Sequence, residues 1–326
     1  MKIMLFDVPA EFGGALTILN EYYEKAKKDI ENEWIFVLST PKYEDYNNVK
    51  ILNFPWVKKN WLYRLFFDIF TAKELTEKYN PDKVISLQNT IVNAKGKYQE
   101  LYLHQSLPFC EKKFSLLQSK TVWLYQNIIS KLIFYSIKKA DGVIVQTNWM
   151  KKSIIQKCKI TENKIKVEMP EIILKREVQF NQGDSIIFFY PTANKAVYKN
   201  HLLIFKSVHE LVQKGYSDFT VVLTIKPTQQ MSDFAEKNKL PIIFTGYLTK
   251  KEMNDYYSKS VLIFPSYIET IGLPLLESRN VGCPIIVSDC GYSREILSEY
   301  ENVTYFNPNS EHELAEHMMN YMDKIL

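Results

Sequence analysis

Short apolar runs alternate with longer amphipathic stretches, and the pattern occurs twice; no other feature of this sequence constrains the fold as tightly. KIMLFDV (2–8), WIFVLS (34–39), KVISLQ (83–88), LYLHQS (101–106), DGVIVQT (141–147) and KIKVEM (164–169) predict a first set of strands. Helices are expected near 15–30, 61–79, 115–139 and 148–158. Parallel strands need long crossovers, and helices supply them, so this order predicts a doubly wound parallel sheet. The pattern restarts with SIIFFYP (185–191), FTVVLTI (219–225), PIIFTG (241–246), SVLIFPS (260–266), CPIIVSD (283–289) and NVTYF (302–306). Its helices are expected near 199–214, 228–238, 249–259, 273–281, 292–298 and 310–324. The polar stretch 170–184 opens with Pro170, contains Gly183 and reads as a linker. The expectation is therefore an α/β protein of two Rossmann-like doubly wound domains, 1–175 and 176–326, facing across a cleft.

Composition removes several classes of protein. Apolar residues make up 46% and charged residues 24%, a balance that excludes a disordered or collagen-like chain. No apolar run approaches the ~18 residues of a membrane span. MKIMLFDVPAEFGG turns polar too early for a signal peptide. The four cysteines, Cys110, Cys158, Cys283 and Cys290, form no CxxC pair and fit a reduced, cytoplasmic protein. Residues 1–175 carry 27 Lys+Arg against 19 Asp+Glu, whereas 176–326 carry 14 against 18. That excess suits an anionic surface or substrate on the first half, and it equally suits ordinary lysine-rich helices.

The most informative stretch is FPSYIETIGLPLLESRNVGCPIIVSDCG (264–291). A buried strand ends at Pro265, a loop carries Glu269, and Gly272 permits close backbone approach. Pro274 suits the first helical position, and Gly282 suits the C-terminal stop. The backbone N–H groups of Ile271, Gly272, Leu273 and Leu275 would then face an anion. Glu269 lies in the loop beside that anion site, and Glu277 lies one turn into the helix.

The Glu-x7-Glu spacing, the intervening GLPLLE and the following GCPIIVSDCG resemble the donor site of family-4 retaining glycosyltransferases of the GT-B fold, the group 1 glycosyltransferases. The similarity extends upstream through FTGYLTKKEMNDYYSKSVLIFPS (244–266) and downstream to SREIL (293–297). The resemblance implies that the helix amides, with Thr270 beside them, bind the diphosphate of a nucleotide-sugar. It implies that Glu269 contacts the transferred sugar and Glu277 the ribose hydroxyls. Acceptor-only carboxylates suit both tasks.

Lys199, in KNH, resembles the lysine of the family's phosphate clamp. The clamp's usual arginine is replaced by Asn194, and the adjacent Lys195 offers only a point charge in its stead. Gly13 and Gly14 resemble the donor-facing glycine loop of the first domain, although paired glycines serve any tight turn. His104, after LYL, resembles a histidine beside the transferred sugar. There is no GxGxxG, no GxxxxGK[ST] and no Asp-x-Asp, and no histidine has ligand spacing, so no metal or nicotinamide is expected.

WVKKNWLYRLFFDIF (56–70) and KKFSLLQSKTVWLYQNIISKLIFYSIKK (112–139) mix Lys and Arg with aromatics at helical spacing. Each suits a helix lying on anionic lipid or a core-facing helix with a solvated lysine edge. The expected activity is metal-independent transfer of a hexosyl unit from a UDP- or GDP-sugar to a glycan or lipid-linked acceptor. Surface polysaccharide or glycoconjugate assembly is the expected setting, in the cytoplasm or at the inner face of the membrane. His104, Lys199 and Glu269 are the expected catalytic residues. The alternative is a catalytically inactive nucleotide-sugar-binding subunit of a partner transferase. Family members usually continue past the equivalent of 306–324 with a helix crossing back to the first domain, and this sequence ends at Leu326.

Overall fold

A computed structural model describes residues 1–11, 13–169, 178–183, 185–192 and 194–325. The chain divides into two compact units, Met1–Phe109 with Leu124–Glu171, and Cys110–Trp123 with Ile172–Leu326. The boundary expected at 175/176 and most of the linker expected at 170–184 lie outside the described residues. The far end of that linker is already part of the second unit. There the Phe180 N–H donates to Val281 O at 3.0 Å and the Asn181 N–H to Ser258 O at 2.7 Å.

The first unit is built on seven parallel strands: β1 (Lys2–Asp7), β2 (Glu33–Leu38), β3 (Val49–Asn53), β4 (Lys83–Ser86), β5 (Tyr98–Leu103), β6 (Gly142–Val145) and β7 (Ile165–Val167). Their order is β3-β2-β1-β4-β5-β6-β7. Successive side chains on a strand point to opposite faces. Ile3 and Leu5 accordingly pack with Ile18, Leu19, Tyr22 and Ala26 of α1 (Gly13–Lys28), while Met4 and Phe6 pack with Phe67, Ala72 and Leu75. Burial on both faces is why these strands read as unbroken apolar runs. β3 escaped the sequence reading because VKILN sits at the sheet edge and only Val49 is fully buried.

The helix expected at 61–79 is three pieces: α2 (Trp61–Phe66), a π-helical turn at Phe67–Thr71, and α3 (Ala72–Tyr79). Asn60 starts it by accepting from the N–H groups of Leu62 and Tyr63 at 2.9 and 3.2 Å, and Asn80 ends it in the left-handed region. The stretch expected at 115–139 is likewise α4 (Lys120–Leu124), a π turn at Tyr125–Ile129, and α5 (Ser130–Lys139). α6 (Asn148–Cys158) completes the unit. Phe67, Ala72 and Leu75 lie against the Met4/Phe6 face, and Ile133 and Ile137 lie against Leu101, Leu103, Val143 and Val145 of the same sheet face. The Asn93 Nδ2, in the loop after β4, donates to Ile69 O at 3.0 Å.

One stretch interrupts the expected 1–175 domain. Cys110–Trp123 belongs with the second unit. Phe114 meets Tyr267 edge to face at 5.7 Å, and Lys112 Nζ donates to Asn309 Oδ1 at 3.0 Å. Both partners lie more than a hundred residues away, so no local pattern could announce them.

The second unit has six parallel strands in the order β10-β9-β8-β11-β12-β13. They are β8 (Ile186–Tyr190), β9 (Phe219–Leu223), β10 (Ile242–Phe244), β11 (Val261–Phe264), β12 (Ile285–Ser288) and β13 (Val303–Phe306). The helices are α7 (His201–Gln213), α8 (Gln229–Lys237), α9 (Lys250–Lys259), α10 (Leu273–Val281), α11 (Gly291–Ile296) and α12 (Glu311–Asp323). Every strand and helix expected after residue 184 is present. The strand order reverses between β8 and β11, and in open α/β sheets ligands bind outside the carboxyl ends at such a point.

Candidate functional site

The two strands flanking that reversal lead directly into the two most informative loops. β8 runs into 191–200, and β11 into 265–272. Three sets of hydrogen bonds stitch the loops together. The Tyr190 hydroxyl donates to Lys199 O at 2.9 Å and lies 2.9 Å from Ser266 Oγ. The Tyr267 N–H donates to Tyr198 O at 2.9 Å. Asn200, left-handed at φ 58° and ψ 35°, donates its side-chain amide to Pro265 O and Pro308 O at 3.2 and 2.9 Å.

This stitching brings together two side chains seventy positions apart. Lys199 Nζ lies 2.5 Å from Glu269 Oε1, with side-chain exposures of 14% and 16%. Burial works against the ammonium, but Glu269 and then Tyr190 more than offset it, so the Lys199 pKa is raised and the lysine keeps its charge. Neighbouring His201 behaves oppositely: burial, with the charges of Lys199 and Lys195, pushes it down to about 4.

Gly272 caps α10 at φ +78°, where a side chain would be strained, and an added Cβ would sit 3.3 Å from Leu275 Cδ1 and 3.7 Å from Glu269 Cγ. Leu273 opens the helix and Pro274 follows, one position later than expected, and Gly282 stops it at φ +86°. The Leu275 N–H, expected to face an anion, donates instead to Gly272 O at 2.8 Å. The Gly272 and Leu273 amides precede that first helical bond, as orphan N–H groups at a helix start do. Thr270 adjoins them, and the Ile271 side chain is 5% exposed, packed into the core, leaving its backbone as the part that can serve a ligand. Glu277 is held elsewhere. Its Oε2 accepts from the Tyr257 hydroxyl at 2.6 Å.

Lys195 and Asn194 are both exposed. Asn194 Oδ1 accepts from the Ala196 N–H at 3.0 Å, so the residue at the clamp-arginine position shapes its own loop. The structure thus joins Lys199, Glu269 and Gly272, and keeps Lys195 at the surface.

In the first unit, Gly13 and Gly14 are the first residues of α1. Only Gly13 has positive φ, at +64°, and a Cβ on either would meet nothing within 4 Å. His104 follows β5, with its N–H donating to Asn89 Oδ1 at 2.9 Å. Burial pushes its imidazole down to about 4, so it is neutral at pH 7. At the end of β1 the sequence reading passed over Asp7, which is fully buried. Burial lifts its carboxyl to about 8 against the opposing pull of the Ala10 backbone, Arg64 and Lys58. An acidic residue closing an apolar strand, as in KIMLFD, was the available signal.

Residues 171–324 match the family model described as glycosyl transferases group 1. The match covers most of the second unit and a little under half of the chain. The O-antigen chain mannosyltransferase RfbU of Salmonella typhimurium is 23% identical over 221 residues, which are 64% of this chain and 60% of that protein. The sulfoquinovosyl transferase SQD2 of Arabidopsis thaliana is 36% identical over 61 residues, 18% of this chain and 12% of that one. The chain thus spans less than two thirds of the length of these relatives. Among solved structures, the apo lipopolysaccharide outer core galactosyltransferase WaaB superposes with TM-score 0.68 at 17% identity, covering 98% of this chain and 89% of the other. WaaG, a glycosyltransferase involved in lipopolysaccharide biosynthesis, superposes with TM-score 0.70 at 14% identity, covering 99% and 90%. These superpositions show the GT-B fold that the sequence resemblance implied.

Proposed function

We propose that the protein is a metal-independent, retaining glycosyltransferase that moves a hexosyl unit from a UDP- or GDP-sugar to a glycan or lipid-linked acceptor in surface polysaccharide or glycoconjugate assembly. The observation that carries this reading is the Lys199–Glu269 pair at the strand-order reversal, beside the start of α10. The Gly272 and Leu273 amides and Lys199 would bind the diphosphate and stabilise the charge that develops on it as the sugar leaves. Glu269 would accept from sugar hydroxyls, and His104, being neutral, would serve as a hydrogen-bonding group. Gly13 and Gly14 leave open space at the start of α1 for a ligand to approach. Two solved relatives of the fold support the choice of nucleotide probe: a TarM variant was crystallised with UDP, and HepE of Anabaena with UDP-glucose.

Calorimetry with UDP and GDP tests the reading. One of them should bind, with an affinity unchanged by EDTA. Binding abolished by the chelator would overturn metal independence, and no binding of either would overturn the donor site.

The first unit's surface supports a membrane-proximal acceptor as part of this reading. Among the described residues, large apolar side chains stand exposed most densely on 61–70 and 124–135: Trp61, Leu62, Leu65, Phe66, Ile69 and Phe70 on one stretch, Leu124, Ile128, Leu132 and Tyr135 on the other. Both stretches cover the same sheet face, so their outer sides can meet one flat surface. Lys59, Lys131, Lys138 and Lys139 are exposed on or beside them. Apolar side chains fringed with lysine suit the interface of an anionic bilayer at its cytoplasmic side. Each lysine near such a surface is worth about 1 kcal/mol, an attraction that fades as salt shortens the Debye length. The protein should sediment with phosphatidylglycerol vesicles at low salt and not with phosphatidylcholine vesicles, and Lys59/Lys131/Lys139→Glu should release it. No sedimentation at low salt would leave a soluble acceptor as the reading.

A further inference from the structure

Tyr257 lies on α9, within the stretch 244–266 but given no role by the sequence, and its hydroxyl meets the Glu277 carboxylate. Its side chain is 1% exposed. The Phe189 ring of β8 meets it edge-on at 5.6 Å between centroids, so the phenol has no room to swing. From that fixed seat its hydroxyl donates to Glu277 Oε2 at 2.6 Å.

Glu277 needs such a partner. Burial raises its pKa, and the Tyr257 hydrogen bond and the charge of Lys250 oppose that rise. A glutamate on a helix also has several staggered rotamers, and a short hydrogen bond from a rigid neighbour selects one of them. Engaging Oε2 leaves Oε1 as the acceptor that can turn to a ligand. The ligand group that such an acceptor distinguishes is a hydroxyl. A site built to receive a hydroxyl rejects the analogue lacking it, because the carboxylate is then left unpaired.

We propose that Tyr257 is a positioning residue that fixes the Glu277 carboxylate for the ribose hydroxyls, so that the site prefers ribonucleotides to their 2′-deoxy counterparts. The proposal rests on the donor-site reading above. It adds a residue and a selectivity that the Glu-x7-Glu pattern does not contain. Tyr257→Phe is a clean probe because the ring and its packing stay and only the hydroxyl leaves.

The experiment is calorimetry of UDP, 2′-deoxy-UDP and inorganic pyrophosphate on the full chain, with GDP and 2′-deoxy-GDP in parallel. The unsubstituted protein should favour the ribonucleotide by roughly tenfold or more, the scale of one charged hydrogen bond. Tyr257→Phe should bring that ratio to within about threefold of unity, leaving pyrophosphate affinity unchanged, since the phosphate half of the site does not touch Tyr257. Glu277→Gln should do the same, and the double variant should add nothing further, because both changes remove one coupled interaction. Thermal unfolding of each variant checks that it is folded. A Tyr257→Phe protein that keeps the ratio would overturn the inference. So would one that loses pyrophosphate as strongly as UDP, which marks a general lesion of the site. An unsubstituted protein that binds nucleotide without the preference overturns this inference alone. One that binds no nucleotide overturns the donor-site reading and this inference with it.

Discussion

Replacing Glu269 by Gln should tighten the hold on UDP while nearly abolishing sugar transfer. The opposite signs follow from the 2.5 Å contact between Glu269 and Lys199. In the unliganded protein the carboxylate occupies the lysine that a diphosphate would use, and its charge repels a second anion brought there. Removing it frees Lys199 and leaves an ammonium with little solvent around it, which an arriving diphosphate then compensates. Breaking a buried pair on one side costs about 3–5 kcal/mol, and the residual exposure here puts the cost at the low end. The unliganded variant should therefore unfold at lower temperature, and UDP should restore more stability to it than to the unsubstituted protein. The expected gain in UDP affinity is roughly tenfold, or about 1.4 kcal/mol. Turnover should fall by at least ~10²-fold, the scale of losing correct placement of a reacting group. Lys199→Ala should instead weaken UDP by roughly 1.5–3 kcal/mol, the worth of a hydrogen bond to a charged group. Titration calorimetry beside a transfer assay reads both signs. Weaker UDP binding by Glu269→Gln would assign the carboxylate to the nucleotide and not to the sugar.

Asp7 should make the protein less stable as pH rises from about 4 to 8. In the folded chain burial lifts its carboxyl to about 8, while an unfolded aspartate titrates near 3.8. Between those values the folded state holds a proton that the unfolded state has released. Stability then falls by about 1.4 kcal/mol per pH unit from this group alone, and local relaxation trims the total. Below pH 4 both states are protonated and the effect vanishes. Asp7→Asn keeps the shape and removes the titration. Its thermal midpoint should match the unsubstituted protein near pH 4 and exceed it by at least roughly 3 °C at pH 8, given the size of the unit. Midpoints that run parallel from pH 4 to 8 would show that Asp7 is charged in the folded state. Arg64 and Lys58, which already pull against its burial, would then be the groups that hold it.

The sites of these two predictions differ in how far the sequence announced them. Glu269, Gly272 and the α10 boundaries lie within one short run, where spacing, a positive-φ glycine and a helix stop are all local signals. That run was legible because a turn and a helix start are made by neighbours in the chain. Lys199 was placed by resemblance, but its partner was not, because seventy residues separate it from Glu269. The same holds for Tyr257 and Glu277, twenty residues apart on two helices, with no pattern to couple them. Asp7 and Asn194 show the reverse problem. Their identity was plain, but whether a carboxyl is desolvated or an amide closes its own turn depends on what packs around it.

The alternation of apolar runs and amphipathic stretches determined by itself that two parallel α/β sheets would form, because side-chain period and crossover length are properties of local chain geometry. Edge strand β3 and the π turns at Phe67–Thr71 and Tyr125–Ile129 lay beyond that signal, since an edge need not be apolar and one extra residue in a turn leaves the helical pattern almost unchanged. The order of strands, with its reversal between β8 and β11, was decided only in three dimensions. That order is what sets the Lys199 loop beside the Glu269 loop. The pairing of distant strands depends on long-range packing, which no window of sequence contains, and the charge state of each buried group follows from that packing in turn.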